Sequence, residues 1–292
     1  MSAPHVQSAL LDLLNDSSAP YRDPLARLNW ETVDTAAWWL PPHALSLSGI
    51  EEFESLSLLR KRKLSQWEFV HFIDTTLWLD GLFIRRLGAA LDTAADQQHR
   101  SRFLHEIREQ AGHGLMFLEL LTRSGMGMER GARRYPQLMR LLVPRIANSS
   151  ALFWALVVVG EELPDKLNRA VRGTAGEPVV SPLIQQMTTL HIIDQARHIA
   201  HARAACEEAA RVQPQWRRTV LSPLLSRTVN AFIRHLFFPP ADIYGAARLP
   251  GVVPWAEFAQ HNPRRMEWVA QAVKPTFEFL RAQGWHIASR YG

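Results

Sequence analysis

The run His191-Ile192-Ile193-Asp194-Gln195-Ala196-Arg197-His198 constrains the fold of this chain more than any other. It lies inside a long apolar stretch, Ser181 to Val212, with no glycine and only Pro182, at its start. Nothing inside the stretch breaks a helical pattern, so it predicts one long helix. On a helix, residues three, four and seven apart share a face. His191, Gln195 and His198 therefore point the same way, among Ile184, Met187, Leu190, Ile199 and Ala202. That face is apolar enough to be buried. Polar side chains on a buried stripe require partners, since an unpaired one costs about 1–3 kcal/mol. Two histidines seven apart with a hydrogen-bonding residue between them point to a metal ion.

A second stretch repeats the theme. Glu109-Gln110-Ala111-Gly112-His113 lies in the helical run Asp96 to Ser124, where Phe103, Ile107, Gln110, His113 and Phe117 form one stripe. The chain thus carries Gln-x-x-His twice, at Gln110/His113 and Gln195/His198. Helical bundles that hold two metal ions use Glu-x-x-His from each of two helices and a single Glu from each of two others. The spacing here is that of the motif, with glutamine at both glutamate positions.

The single carboxylates are sought on two further helical runs. From Ser65 to about Leu91 the stripe Trp67, His71, Asp74, Trp78 and Gly81 makes Asp74 the candidate ligand, while Asp80 falls on a different side. Ser65 and Glu68 have the spacing of a capping box at the start of that helix. The run from Ser149 or Ser150 to Arg172 carries Glu161-Glu162 directly after an all-apolar segment. One of the two faces inward, and the pattern does not choose between them. Pro164 follows at once and is a place for a kink. Glycines 125, 127 and 131 close the Asp96–Ser124 run, and 173–180 reads as a loop. Helical patterns also cover Trp216–Leu236, a short stretch near Trp255–Gln260, and Pro263–Ala282.

Composition excludes several classes. With 292 residues and 47% apolar side chains, the chain can bury one large core. Cys206 is the only cysteine, so no intrachain disulfide or thiolate cage is available. The most apolar stretch, Ala151 to Gly160, is too short for a bilayer, which takes roughly 20 residues. The first residues lack the pattern of a secretory signal, so a soluble cytoplasmic protein is expected. The net charge of +5 and the basic cluster Arg60-Lys61-Arg62-Lys63 would suit nucleic acid, but no aromatic or glycine-rich nucleic-acid module surrounds them. There is no strand alternation and no repeat of fixed period. The expectation is an all-α, ferritin-like four-helix bundle in a single domain. Residues 1–57 form an arm wrapping it, 65–236 the core, and 237–292 terminal helices. Trp38 and Trp39 in the arm are expected to lie against the body.

The order acid, Gln-x-x-His, acid, His-x-x-x-Gln-x-x-His resembles the p-aminobenzoate N-oxygenase family of ferritin-like diiron proteins. The segments Tyr21-Arg22-Asp23-Pro24 and Trp38-Trp39-Leu40-Pro41-Pro42 resemble it too. The resemblance implies a metal set of Asp74, His113, Glu161 or Glu162, His191 as an extra histidine, and His198. Gln110 and Gln195 stand at the positions of the family's metal-bridging glutamates. It further implies iron, as one or two ions, with manganese as the substitute. Activity would be O2-dependent oxidation of a small organic substrate such as an amine, in a homodimer or beside a paralogue. A neutral amide is a poorer ligand than a carboxylate. Two ferrous ions facing at most two carboxylates leave an excess of about two positive charges. The alternative is a pseudoenzyme that keeps the bundle and closes the same side chains into a hydrogen-bond network.

Overall fold

The computed structural model describes residues 3–127, 135–173 and 180–291. Gly131 and residues 174–179 of the expected loops lie outside them. The described chain is all-α, a ferritin-like bundle. Its one β feature among these residues is an isolated parallel bridge between Trp38 and Val180. Seven helices organise it: α1 Ala3–Ser18, α2 Leu58–Ala90, α3 Gln97–Ser124, α4 Ala151–Arg172, α5 Pro182–Val212, α6 Gln215–Phe237 and α7 Pro263–Ala282. Helix α4 pairs most extensively with α5, and α2 with α3, so the core is two helical hairpins laid together. Helices α6 and α7 cover α4, and α1 covers α3.

Local chemistry sets the helix ends. The Asp96 carboxylate accepts from the His99 amide at 2.9 Å and starts α3, and Gly125 ends it in a left-handed conformation at φ 65°. Ser150 caps α4 through the Leu152 amide, and Pro182 occupies the first turn of α5. Helix α4 runs on through Pro164. The hairpins approach closely at Gly160, where an added Cβ would come 2.5 Å from the buried Phe83 ring of α2.

The start of α2 corrects the sequence reading. The helix begins at Leu58, so Ser65 and Glu68 lie inside it and form no capping box. Nothing between Leu58 and Ser65 breaks a helix, and both residues have other employment. Ser65 Oγ accepts from the Trp39 amide at 3.2 Å, and Glu68 accepts from the Ser46 hydroxyl at 2.5 Å. These bonds fasten the arm, whose Trp38 and Trp39 are buried, with Trp39 edge-on to Phe69. The basic residues 60–63 lie in the first turns of α2. Among the described residues, no helix is long and apolar enough to cross a membrane.

Candidate metal centre and its hydrogen-bond network

Four of the expected residues meet at one carboxylate. Glu161, projecting from α4, is buried, and so are Gln110 on α3 and Gln195 and His198 on α5. The Gln110 amide donates to Glu161 Oε1 at 3.1 Å. The Gln195 amide donates to Glu161 Oε2 and to the Glu161 backbone carbonyl at 2.9 Å. His198 Nδ1 stands 3.6 Å from Glu161 Oε2. The acid pair is thereby resolved: Glu161 faces this cluster. Glu162 faces α7, where Thr276 donates to it at 2.6 Å, and it also receives Arg203 at 2.5 Å.

The other two histidines close the group. The His113 ring lies 4.5 Å from that of His191 and 6.3 Å from that of His198, centroid to centroid. Asn168 donates to His191 Nδ1 at 2.8 Å. Burial, then the neighbouring His113 and His198, hold His191 well below the usual histidine range, so its ring is neutral.

On α2 two acids have different surroundings. Asp74 accepts from the Tyr135 hydroxyl at 2.9 Å, beside the stacked pair of Tyr135 and Trp78. The α2 acid that feels the cluster is Asp80. Burial first, and the Glu161 charge next, push its carboxyl well above the usual range, with His198 acting against them. Its Oδ2 is buried without a hydrogen-bond partner.

A layer of charge that the sequence reading did not single out grips the histidines from behind. His198 Nε2 donates to Glu109 at 2.8 Å, and His113 Nε2 donates to Asp194 at 2.9 Å. Each acid immediately precedes the glutamine of the opposite motif, so the grip is reciprocal: the α3 acid holds the α5 histidine and the α5 acid the α3 histidine. Arg197 joins the two, donating to Glu109 at 2.7 Å and to Asp194. Arg102, fully buried, donates to Glu106 at 3.1 Å and to Glu109 at 3.4 Å. Glu106 accepts in turn from His201 at 2.7 Å.

These neighbours set the protonation of His198. Burial lowers its pKa, but the hydrogen bond to Glu109 and the charges of Glu161 and Glu106 outweigh this and raise it to about 10. The core therefore holds an imidazolium between two carboxylates. An imidazole whose pKa rises above the unfolded value of about 6.5 stabilises the fold fully below that value. The contribution is then lost as pH climbs through about 10. Urea titrations should show stability falling over this window in the parent, with a shallower fall in His198→Gln. Equal slopes in both proteins would remove the imidazolium from the account.

The donor set can be tested against a two-metal centre. Both Glu161 oxygens already receive amide hydrogens, which repel a cation as they attract a carboxylate. Asp80, the remaining acid, is pushed toward its neutral form. Among the described residues, no three His, Cys, Asp or Glu side chains stand close enough to hold a metal ion. Two ferrous ions need several negative ligands around them, and this donor set does not fit them.

Comparison with known proteins gives the chain its relatives. A family model described as P-aminobenzoate N-oxygenase AurF matches residues 3–284. The protein named Uncharacterized protein Rv0885, from Mycobacterium tuberculosis H37Rv, is 23% identical over 261 residues, covering 86% of this chain and 73% of its own. Uncharacterized protein Mb0909 from Mycobacterium bovis matches to the same extent.

Proposed function

Because this chain belongs to the p-aminobenzoate N-oxygenase AurF family, whose bundle is built around two irons, we propose that it keeps the scaffold without the dinuclear centre and acts as a binding protein for a small organic molecule. The observation that carries this reading is the double amide clamp on Glu161. A bridging glutamate would bring negative charge to two cations; each glutamine brings a hydrogen to a single carboxylate. The imidazolium of His198 supplies the positive charge that metal ions would otherwise supply. The polar core is in this sense self-neutralising, and Gln suits the task because one amide can both donate and accept.

A second reading is favoured by three atoms near Glu161. Asp80 Oδ2, Gln110 Oε1 and His198 Nδ1 are all buried without a hydrogen-bond partner. Loss of the His198 proton would free Nδ1, and a single cation there would have to draw these groups closer together, since no three of the described acids and histidines stand close enough to hold one. A single iron there would supply dioxygen chemistry to a small substrate, in keeping with the family.

Metal content per chain separates the readings. Protein made in iron- and manganese-supplemented medium should contain far less than one metal per chain by plasma mass spectrometry. About one per chain, lost in His198→Ala, would replace the first reading by the second. About two would overturn both.

A further inference from the structure

A cavity of about 340 Å³ opens between the first turns of α3 and α4 and the last turns of α5, lined among others by Phe103, Trp154, His201 and Ala205. Cavities of this size hold small organic ligands. The walls are aromatic: Trp154 stands edge-on to His201 with centroids 5.1 Å apart, and Phe103 lies 6.0 Å from the same ring. Phe103, Trp154 and His201 are buried in the fold and form the floor of the pocket, whose rim is partly exposed. Its ionisable members are already matched. Glu208 is held by Arg211 at 2.6 Å, and His99 by Asp96 at 2.8 Å.

The one directed polar group is His201. Its Nδ1 meets the Glu106 carboxylate at 2.7 Å. An ionised carboxylate only accepts, so Nδ1 carries the hydrogen. Glu106 also accepts from the fully buried Arg102 guanidinium at 3.1 Å, which keeps it ionised. In the neutral ring, Nε2 then presents a lone pair. That nitrogen has no hydrogen-bond partner among the described residues, while its ring lines the cavity.

We propose that this cavity is a ligand site, distinct from the Glu161 cluster, for a small neutral heteroaromatic molecule whose ring N–H donates to His201 Nε2. The aromatic walls take the ring faces and edges. With Glu208 held by Arg211 and His99 by Asp96, no unpartnered ionisable side chain is left at the rim to select an ion. The pocket does not depend on the metal content of the core, since none of its lining residues belongs to the Glu161 cluster.

Indole and benzofuran test it, because they share a shape and differ in the N–H. Calorimetric titration of the full-length protein near pH 8 should show indole binding at least about 10-fold more tightly than benzofuran. His201→Phe should bring the two to equal affinity. Ala205→Trp, which fills the cavity from a partly exposed position on α5, should abolish both. The proposal is overturned if neither probe binds at millimolar concentration or if Ala205→Trp still binds indole. It is equally overturned if His201→Phe keeps the preference. Should His201→Phe fail to fold, the probe pair and Ala205→Trp still decide.

Discussion

Replacing Gln110 and Gln195 together by glutamate lowers the thermal midpoint of the metal-free protein by about 10 °C or more, and ferrous or manganous ion restores it. In the parent, the Glu161 charge is met by two amide N–H groups and by the His198 imidazolium. The double change removes both donors and adds two buried carboxylates beside an existing one. Uncompensated buried charge costs about 3–5 kcal/mol for each broken pairing. For a chain of this size each kcal/mol moves the midpoint by roughly 2–4 °C. Divalent ions reverse the sign of the effect. With a carboxylate at each of the two positions, the negative charge around the cluster matches two cations, and binding to the folded state alone stabilises it by mass action. Scanning calorimetry with and without metal, on the double and both single variants, makes the measurement. An unchanged midpoint without metal, or no metal uptake by the double variant, would contradict the amide clamp as the reason for the present charge balance.

Arg102→Met should destabilise the fold by about 3–5 kcal/mol, the range for stripping one partner from a buried ion pair. The guanidinium is fully buried and donates four ways: to Glu106, to Glu109, to the Leu14 carbonyl at 3.2 Å and to the Ser18 hydroxyl at 3.0 Å. Methionine fills the volume but leaves both glutamates short of positive charge and releases the end of α1. Arg102→Met/Glu106→Gln/Glu109→Gln should regain much of the loss, because no unmatched charge remains. The acid limb carries a second signature. Burial raises the Glu106 and Glu109 carboxyls, but the surrounding cations outweigh it and hold both below the usual range. A depressed carboxyl stabilises the fold above the unfolded value of about 4.3, and that stability is lost as pH falls, for Glu106 through about 2. In Arg102→Met the loss should begin at higher pH. Urea unfolding across acid pH checks both statements, and a cost under about 1 kcal/mol would reduce Arg102 to a packing residue.

Periodicity is enough to place the four long helices, the two Gln-x-x-His pairs and His191, because apolar residues recur at helical spacing through each run, Pro164 and the internal glycines notwithstanding. The choice between Asp74 and Asp80 was not legible for a physical reason. Helix α2 touches α3 on one side, α4 on another and α6 on a third, so it has no single inward stripe. The stripe through His71, Asp74 and Trp78 is real, and its Asp74 accepts from Tyr135, while Asp80 feels the charges of Glu161 and His198. Glu161 and Glu162 posed the same difficulty, since α4 is buried on both the α5 and α7 sides. Arg102 went unnoticed because arginine is ordinarily a surface residue. A signal for the charged layer did exist: both glutamines follow an acid directly, in Glu109-Gln110 and Asp194-Gln195. Two parallel acid-Gln-x-x-His tetrads say that each acid has a task, but only the packing of α3 against α5 reveals that the task lies on the other helix.

That crossed hold bears on how such a core can change over generations. The imidazoles of His113 and His198 are each fixed by a carboxylate on the opposite helix, and His198 turns its other nitrogen toward Glu161. The orientation of the rings is thus independent of what stands in front of them. Either glutamate could give way to glutamine one replacement at a time, each intermediate sequence still folding with its histidines in position. A core built in this way can pass between a hydrogen-bonded and a carboxylate-rich interior without an unfolded sequence in between.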